Sequence, residues 1–371
     1  MTKKLVYFCL CTICFGSCKI SPSLQEEIVI IDIDKAIGTP GELYSSDIAD
    51  SISIIPIHDS SDAYIGDMLE FTEMTKNHIF TYDMLGGLVC YNFNEQKSCK
   101  IGVKGRGPQE YLYMKSIAVD EINNIIYALV GLADGMAVFK YNYDGTYMGR
   151  IPLKETGDNI GFTDDGYLVV HFTNFYGNGG SQYIVMDNNG KTVTDYPQAF
   201  SYESHERTAY FLQESIKYTY DGDLHMKDHS DTLYVFRGKE RYPKYVFKNA
   251  WSIDGKKNLS QGEFDNALVV TDILETKTKL IFHVRVGGTP GINTESYELC
   301  YDKISGQLFS FDETLQNDLP PASTRNVRIR SNYGAEFGNC YGVIDTYTFL
   351  TKPDYPKDDD VSYILILLHL K

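Results

Sequence analysis

Apolar and polar residues alternate in short runs along most of the chain, and pairs of small polar residues separate the runs. Alternation with a period of two marks strands with one face buried, whereas an amphipathic helix would repeat every three to four positions. Segments such as SIAVDEINNIIYALV (116–130), NIGFTDDGYLVVHF (159–172) and SIKYTYDGDLHMK (215–227) each read as strand, turn, strand. The separators are Asn123-Asn124, Asp144-Gly145, Asp165-Gly166, Asn189-Gly190, Asp221-Gly222 and Asp254-Gly255, with Ser305-Gly306 as a looser member. Asn-Gly and Asp-Gly are hairpin signals because the favoured two-residue turn needs positive φ at both central positions. Two interleaved series emerge, one dividing a first strand from a second and the other a third from a fourth. Their steps of about 43 to 56 residues are those of four-stranded propeller blades. The pattern predicts an all-β, six-bladed β-propeller of four-stranded antiparallel blades over about 70–106, 112–154, 158–200, 212–249, 266–313 and 325–371. The run Tyr363 to Leu368 is continuously apolar, as a strand buried on both faces would be.

Between the first two blades lies Ile101 to Tyr111, IGVKGRGPQEY. Gly102, Gly105 and Gly107 allow positive φ or close backbone approach, and Pro108 pushes Gly107 out of the helical region. A sharp turn between sheets follows. No helix comes after it, so this is neither a phosphate-binding P-loop nor a dinucleotide fingerprint. Lys104 and Arg106 among glycines form a candidate anion or ligand loop with Glu110 and Tyr111. The alternative is a purely structural joint in which Glu110 pairs with a cation or caps loop amides.

The string Gly102-Val103-Lys104-Gly105-Arg106-Gly107-Pro108-Gln109-Glu110-Tyr111 resembles the blade joint of the six-bladed, NHL-like propeller lipoproteins of Bacteroidota. Two more segments are similar to that family: SDIADSISIIPIHDSSDAYIGD (46–67), and Asp231-Thr232-Leu233-Tyr234 followed by Tyr242-Pro243-Lys244-Tyr245. The resemblance implies that the N-terminal segment pairs with the last blade to close the ring. It implies no ligand.

The start of the chain, MTKKLVYFCLCTICFGSC, has a basic beginning and an apolar run from Leu5 to Phe15 that is too short to span a bilayer. It reads as a signal peptide over 1–17. Phe15-Gly16-Ser17-Cys18 resembles a bacterial lipobox, with Phe15 in place of the usual Leu, and makes Cys18 the lipidation candidate. An ordinary cleavage site with an incidental cysteine is the alternative. Residues 18–40 would then form a tether and a leading apolar strand at Ile28 to Ile33, and 41–371 the propeller.

Charge narrows the partners. The chain carries a net charge of −16, and loss of residues 1–17 removes only Lys3 and Lys4, leaving −18. Such a surface repels nucleic acid and anionic headgroups, so a lipid rather than a basic patch would hold the protein at a membrane. Cys90, Cys99, Cys300 and Cys340 remain in the propeller. A two-residue turn at Asn94-Glu95 would place Cys90 opposite Cys99 in a non-hydrogen-bonded pair, a candidate disulfide; a four-residue loop would break that register.

No spacing suits a metal. There is no C-x-x-C, His225 and His229 stand four apart in a strand-turn context, Asp358-Asp359-Asp360 lacks the alternating ligand spacing of a calcium loop, and Asp187-Asn188-Asn189-Gly190 is explained as a hairpin turn. His171, His205 and His283 fall in different blades or loops, and no G-x-S-x-G elbow occurs. Tyr111, Tyr113, Phe175, Tyr176, Tyr202, Tyr210 and Phe211 lie near blade connections, where propeller faces bind ligands. These observations point to a monomeric, lipid-anchored envelope protein, of the outer membrane, that binds a protein, peptide or glycan with no cofactor, no metal and no catalytic residue. The alternative is a glycan hydrolase or lyase with its site at the mouth of the central channel.

Overall fold

Among the described residues, the turn dipeptides close hairpins in two ways. In the computed structural model, Asp221 and Gly222 both have positive φ, 52° and 82°, as a two-residue turn requires. At Gly145, Gly166 and Gly190 only the glycine is left-handed, and its N–H donates to the carbonyl three residues back, at 3.0, 2.8 and 2.9 Å. These are type I turns ending in a glycine bulge. The structure describes residues 27–58, 63, 65–66, 69–173, 179–198, 215–228, 230–250, 267–286, 295–312, 314–320, 334–337, 340–346 and 361–371.

The strands form six four-stranded antiparallel blades, one of which gains a fifth strand. Blade one holds Leu69–Met74, His78–Asp83, Gly87–Asn92 and Lys97–Ile101; blade two, Tyr113–Asp120, Ile125–Leu132, Gly135–Asn142 and Tyr147–Leu153. Blade three holds Gly157–Phe162, Leu168–Phe172, Ser181–Met186 and Thr192–Pro197; blade four, Ile216–Tyr220, Asp223–Lys227, Thr232–Arg237 and Glu240–Lys248. Blade five holds Leu268–Glu275, Lys279–Val286, Ser296–Asp302 and Leu308–Phe311. Blade six takes Gly334–Phe337, Cys340–Thr346 and Val361–Leu370 from the end of the chain and its outer strand, Ala49–His58, from the beginning. The register pairs Ile52 with Leu368 and Ile54 with Ile366. This is the ring closure implied by the resemblance, and it leaves Tyr363 to Leu368 in a central strand, as their continuous apolarity requires.

The first strand of each blade lines the central channel, and those of blades six, one, two, three, four and five touch in that order. Because strands alternate in direction, the turns inside each hairpin of strands one–two and three–four lie at one end of the ring, here the hairpin end. Links between strands two and three, and between blades, lie at the other, the crossover end. An apolar cluster fills each of the six spaces between blades, for example Phe80, Ile117, Ile126 and Phe139 between blades one and two. Each fully buried Ile, Leu or Phe contributes about 1.5–3 kcal/mol.

The N-terminal segment does more than close the ring. Val29–Asp32 adds to the outer edge of blade four, running parallel to Glu240–Lys248. The expected strand stops at Asp32, whose carboxylate accepts from the Lys35 N–H at 3.2 Å and caps a short helix, Ile33–Ile37. Ile33 and Ala36 are buried with Phe247 of blade four and Phe282 and Leu299 of blade five. Gly41 N–H donates to Ser310 O and Ser310 N–H to Thr39 O, at 2.7 and 2.8 Å, against the outer strand of blade five. Residues 29–58 therefore strap the outer rims of blades four, five and six.

Candidate functional site

The joint between blades one and two is built around its glycines. Gly102 has φ +69°, and a Cβ there would lie 2.7 Å from the Tyr141 hydroxyl. A Cβ on Gly105 would lie 2.0 Å from Glu110 Oε2, and that carboxylate accepts from the Gly107 N–H at 2.8 Å. Glu110 is thus folded inward as the clasp of the loop. Tyr111 is fully buried in the core between blades one and two. Lys104 and Arg106 are exposed, and the Lys104 amino group donates to the Met84 carbonyl. The structure separates the candidate loop residues: two cations face outward, and the acid and the tyrosine face inward.

Cys90 and Cys99 are directly opposed. Four residues, 93–96, lie between the strand ends Asn92 and Lys97, and the symmetric loop keeps the register that a two-residue turn would give. The pair type differs from expectation. Phe93 N–H bonds to Asn77 O at 2.9 Å toward strand His78–Asp83, so alternate residues Asn92 and Cys90 direct their bonds toward Lys97–Ile101. Cys90 and Cys99 occupy a hydrogen-bonded pair, with Cα atoms more widely spaced than in the alternate kind, and both are thiols. Burial pushes both thiols up. Cys18 lies outside the described residues, as do His205, His229, Phe175, Tyr176, Tyr202, Tyr210, Phe211 and Asp358 to Asp360.

Three polar constellations sit deeper in the ring, each joining blades. Lys217, on the inner strand of blade four, pairs with Glu73 on the inner strand of blade one and donates to Ile117 O on that of blade two. Blades one and four face each other across the ring, so this ion pair bridges the channel.

A second constellation lies between blades three and four at the crossover end. Asp158, His171 and Gln182 all sit at that end of blade three's strands, and Asp228 directly follows Asp223–Lys227 of blade four. His171 Nδ1 is 3.7 Å from Asp158 Oδ2 and its Nε2 is 4.0 Å from Asp228 Oδ2, with the ring almost wholly buried. The Ser215 hydroxyl donates to Asp158 at 2.7 Å, Gln182 donates to Asp228, and Arg241 donates to Gln182 Oε1 at 2.6 Å. Burial works to raise the Asp158 carboxyl, but His171 and the Ser215 hydroxyl outweigh it and hold it below the usual range. The Arg241 guanidinium lies 4.4 and 4.5 Å from the Tyr196 and Tyr234 ring centroids, and this aromatic packing fixes the outer end of the chain of groups.

The third constellation surrounds Glu275, fully buried at the hairpin end between blades four and five. Its carboxylate accepts from Tyr218 and Tyr245 hydroxyls at 2.8 and 2.7 Å, and from Lys303 at 2.7 Å, with Lys244 at 3.0 Å. His225 Nε2 is 3.6 Å away, its ring stacked on Tyr218. Burial drives His225 down to about 3, and against its own burial Glu275 is held at about 2 by His225, Lys303 and Lys244. His283 binds Glu298 at 2.9 Å within blade five, so His171, His225 and His283 do not converge. Among the described residues no three His, Cys, Asp or Glu side chains group as a metal ion would need.

None of these constellations has a local motif. His171 and Asp228 are far apart in sequence, as are Tyr218 and Glu275, and each pair meets only because adjacent blades stack.

A model of a domain of unknown function, DUF4934, matches residues 28–363. A crystal structure from Bacteroides fragilis NCTC 9343, of a protein described by its inferred export, superposes with a TM-score of 0.65 at 15% identity, covering 93% of this chain and all of that one. It bears on the fold alone. A protein of unknown function from Bacteroides thetaiotaomicron VPI-5482 gives 0.41 at 10% identity, over 86% of this chain and 76% of that one. The Xanthomonas campestris GH74 xyloglucanase gives 0.43 at 11%, over 80% and 44%. A search of curated proteins returns no match. Among the described residues, no helix is long and apolar enough to cross a membrane.

Proposed function

Because the chain belongs to the DUF4934 family, a domain of unknown function, we propose that it is a non-enzymatic binding propeller of the cell envelope. In this reading it is exported, lipid-anchored through Cys18 to the outer membrane as the Bacteroidota propeller lipoproteins are, and monomeric. Its ligand is a protein, peptide or glycan. The Lys217–Glu73 bridge carries this reading: it crosses the channel where a propeller's inner strands would otherwise converge on a substrate. The Glu275 and Glu110 carboxylates are likewise engaged by groups of the protein itself. The test is a thermal-shift screen of the unlipidated protein against glycans and peptides, run beside turnover assays on the same glycans. A ligand-dependent rise in melting temperature without product supports binding; product release overturns it. Cys18→Ala is expected to move the protein from the membrane to the soluble fraction, and protease shaving of intact cells assigns the face of the membrane.

One observation favours the enzymatic alternative, a glycan hydrolase or lyase: the placement of His171 between two carboxylates, Asp158 and Asp228. Paired carboxylates suit acid and base roles in glycoside cleavage. If glycan turnover is found, Asp158→Asn and Asp228→Asn are expected to abolish it.

A further inference from the structure

The four cysteines of the propeller have different surroundings. Cys90 and Cys300 are buried, whereas Cys99 and Cys340 are half-buried. The Cys99 thiol donates to the Lys100 carbonyl at 3.7 Å. Cys340 faces an imidazole instead: its Sγ lies 3.6 Å from His369 Nδ1, and His369 Nε2 lies 2.8 Å from the Ser53 hydroxyl. Thiol, imidazole and hydroxyl stand in line across three strands of blade six, and each is half-buried.

The sheet itself aligns them. Cys340 opens its strand directly opposite His369, and Ser53 sits a diagonal step away on the outer strand, opposite Leu367. Toward the crossover end this face is apolar, with Leu365 and Ile57 packed against Tyr91 of blade one. At the hairpin end it turns to thiol, imidazole and hydroxyl. Burial at the edge of that cluster pushes the Cys340 thiol up, so it is no standing thiolate and needs a base to react. His369 is placed to be that base. With its ring proton on Nε2 and donated to Ser53, Nδ1 accepts the Cys340 S–H, and proton transfer leaves a thiolate beside an imidazolium. A nucleophile, a base and a group that orients the base are the parts of an activated thiol.

We propose that Cys340 is a reactive thiol that captures small disulfides as a mixed disulfide, with His369 as its base and Ser53 as the positioning residue that holds the imidazole. The inference stands apart from the binding reading above. In the step, the Cys340 sulfur attacks one sulfur of the small disulfide, whose S–S bond breaks as the new one forms. The leaving thiolate takes up the proton that His369 received. Cys340 is thereby oxidised, and the other half of the reagent leaves reduced, as a thiol. Cys90 and Cys99 oppose each other in blade one, and Cys300 is buried opposite Phe309 in blade five, so no cysteine opposes Cys340. The adduct therefore persists until an external thiol removes it.

The experiment incubates folded, reduced protein with hydroxyethyl disulfide, quenches it with acid at intervals, and follows the adduct on each cysteine peptide by mass spectrometry. The Cys340 adduct is expected to form at least about tenfold faster than the Cys99 adduct and to be released by dithiothreitol. Equal rates at the two half-buried cysteines, or an adduct that dithiothreitol does not release, overturn the proposal without recourse to any variant. His369→Gln is expected to slow Cys340 at least about tenfold while leaving Cys99 unchanged. A wild-type rate at Cys340 in that variant overturns the role of His369. Ser53→Ala is expected to slow Cys340, and Ser53→Thr, which keeps the hydroxyl, to restore it; a rate that neither substitution moves overturns the positioning role. Unchanged melting temperatures establish that the variants are folded.

Discussion

At the scale of single residues, the buried charges at Glu275 set how the protein responds to acid. His225 resists protonation in the folded state, at about 3 against an ordinary 6.5, and Glu275 does so at about 2 against 4.5. In both cases the unfolded chain binds a proton that the folded one refuses, so stability falls as pH drops. The His225 contribution is lost from pH 6.5 down to about 3, and that of Glu275 from 4.5 down to about 2. The melting temperature is therefore expected to decline from pH 7 to pH 4, and His225→Phe to flatten the upper part of that decline, as calorimetry across pH would measure. Glu275→Gln leaves Lys244 and Lys303 without their carboxylate and is expected to cost about 3–5 kcal/mol in urea unfolding. Cys90 and Cys99, opposed at a hydrogen-bonded position, are expected to stay thiols. Alkylation of unfolded protein without reductant, followed by mass spectrometry of the peptides that carry them, checks this. None of this could be read from residue types alone, because Glu275 acquires its partners from strands of two blades.

At the scale of elements, hairpins were legible and straps were not. Asp165-Gly166 or Asp221-Gly222 between apolar runs specifies a local reversal, and local reversals depend on a few adjacent residues. Ile28 to Ile33 reads as one strand by composition, yet the strand gives way to a helix because Asp32 caps it and Ile33 and Ala36 reach a hydrophobic cleft. That cleft is made by blades four and five, more than 200 residues downstream. Ile33→Ala is expected to destabilise the protein by about 2–5 kcal/mol through the cavity it leaves. Gly41→Ala places a Cβ 2.4 Å from the Phe309 ring and is expected to cost about 1–3 kcal/mol as that ring is displaced. Urea unfolding followed by circular dichroism measures both, and losses below about 0.5 kcal/mol would mean that the strap contributes no stability.

At the scale of the whole molecule, the repeat spacing, about 43 to 56 residues, was enough to count six blades, whereas the bridge across the channel was invisible. Lys217 and Glu73 are ordinary surface-type residues in sequence and face each other only in a closed ring. Their pairing makes the two halves of the ring interdependent, so Lys217→Met is expected to lower the melting temperature while leaving the blades' strand content unchanged by far-ultraviolet circular dichroism. Removal of residues 361–370 is expected to abolish cooperative unfolding, since it strips the partner from Ala49–His58 and exposes two sheet edges. The same pairing governs when the chain can fold at all. Ala49–His58 is synthesised long before its partner Val361–Leu370, and loop closure between them spans over 300 residues. Every intermediate length carries an unpaired strand at its leading end. Until Val361–Leu370 has been made the ring lacks this pairing, and a partial chain stays open to proteases.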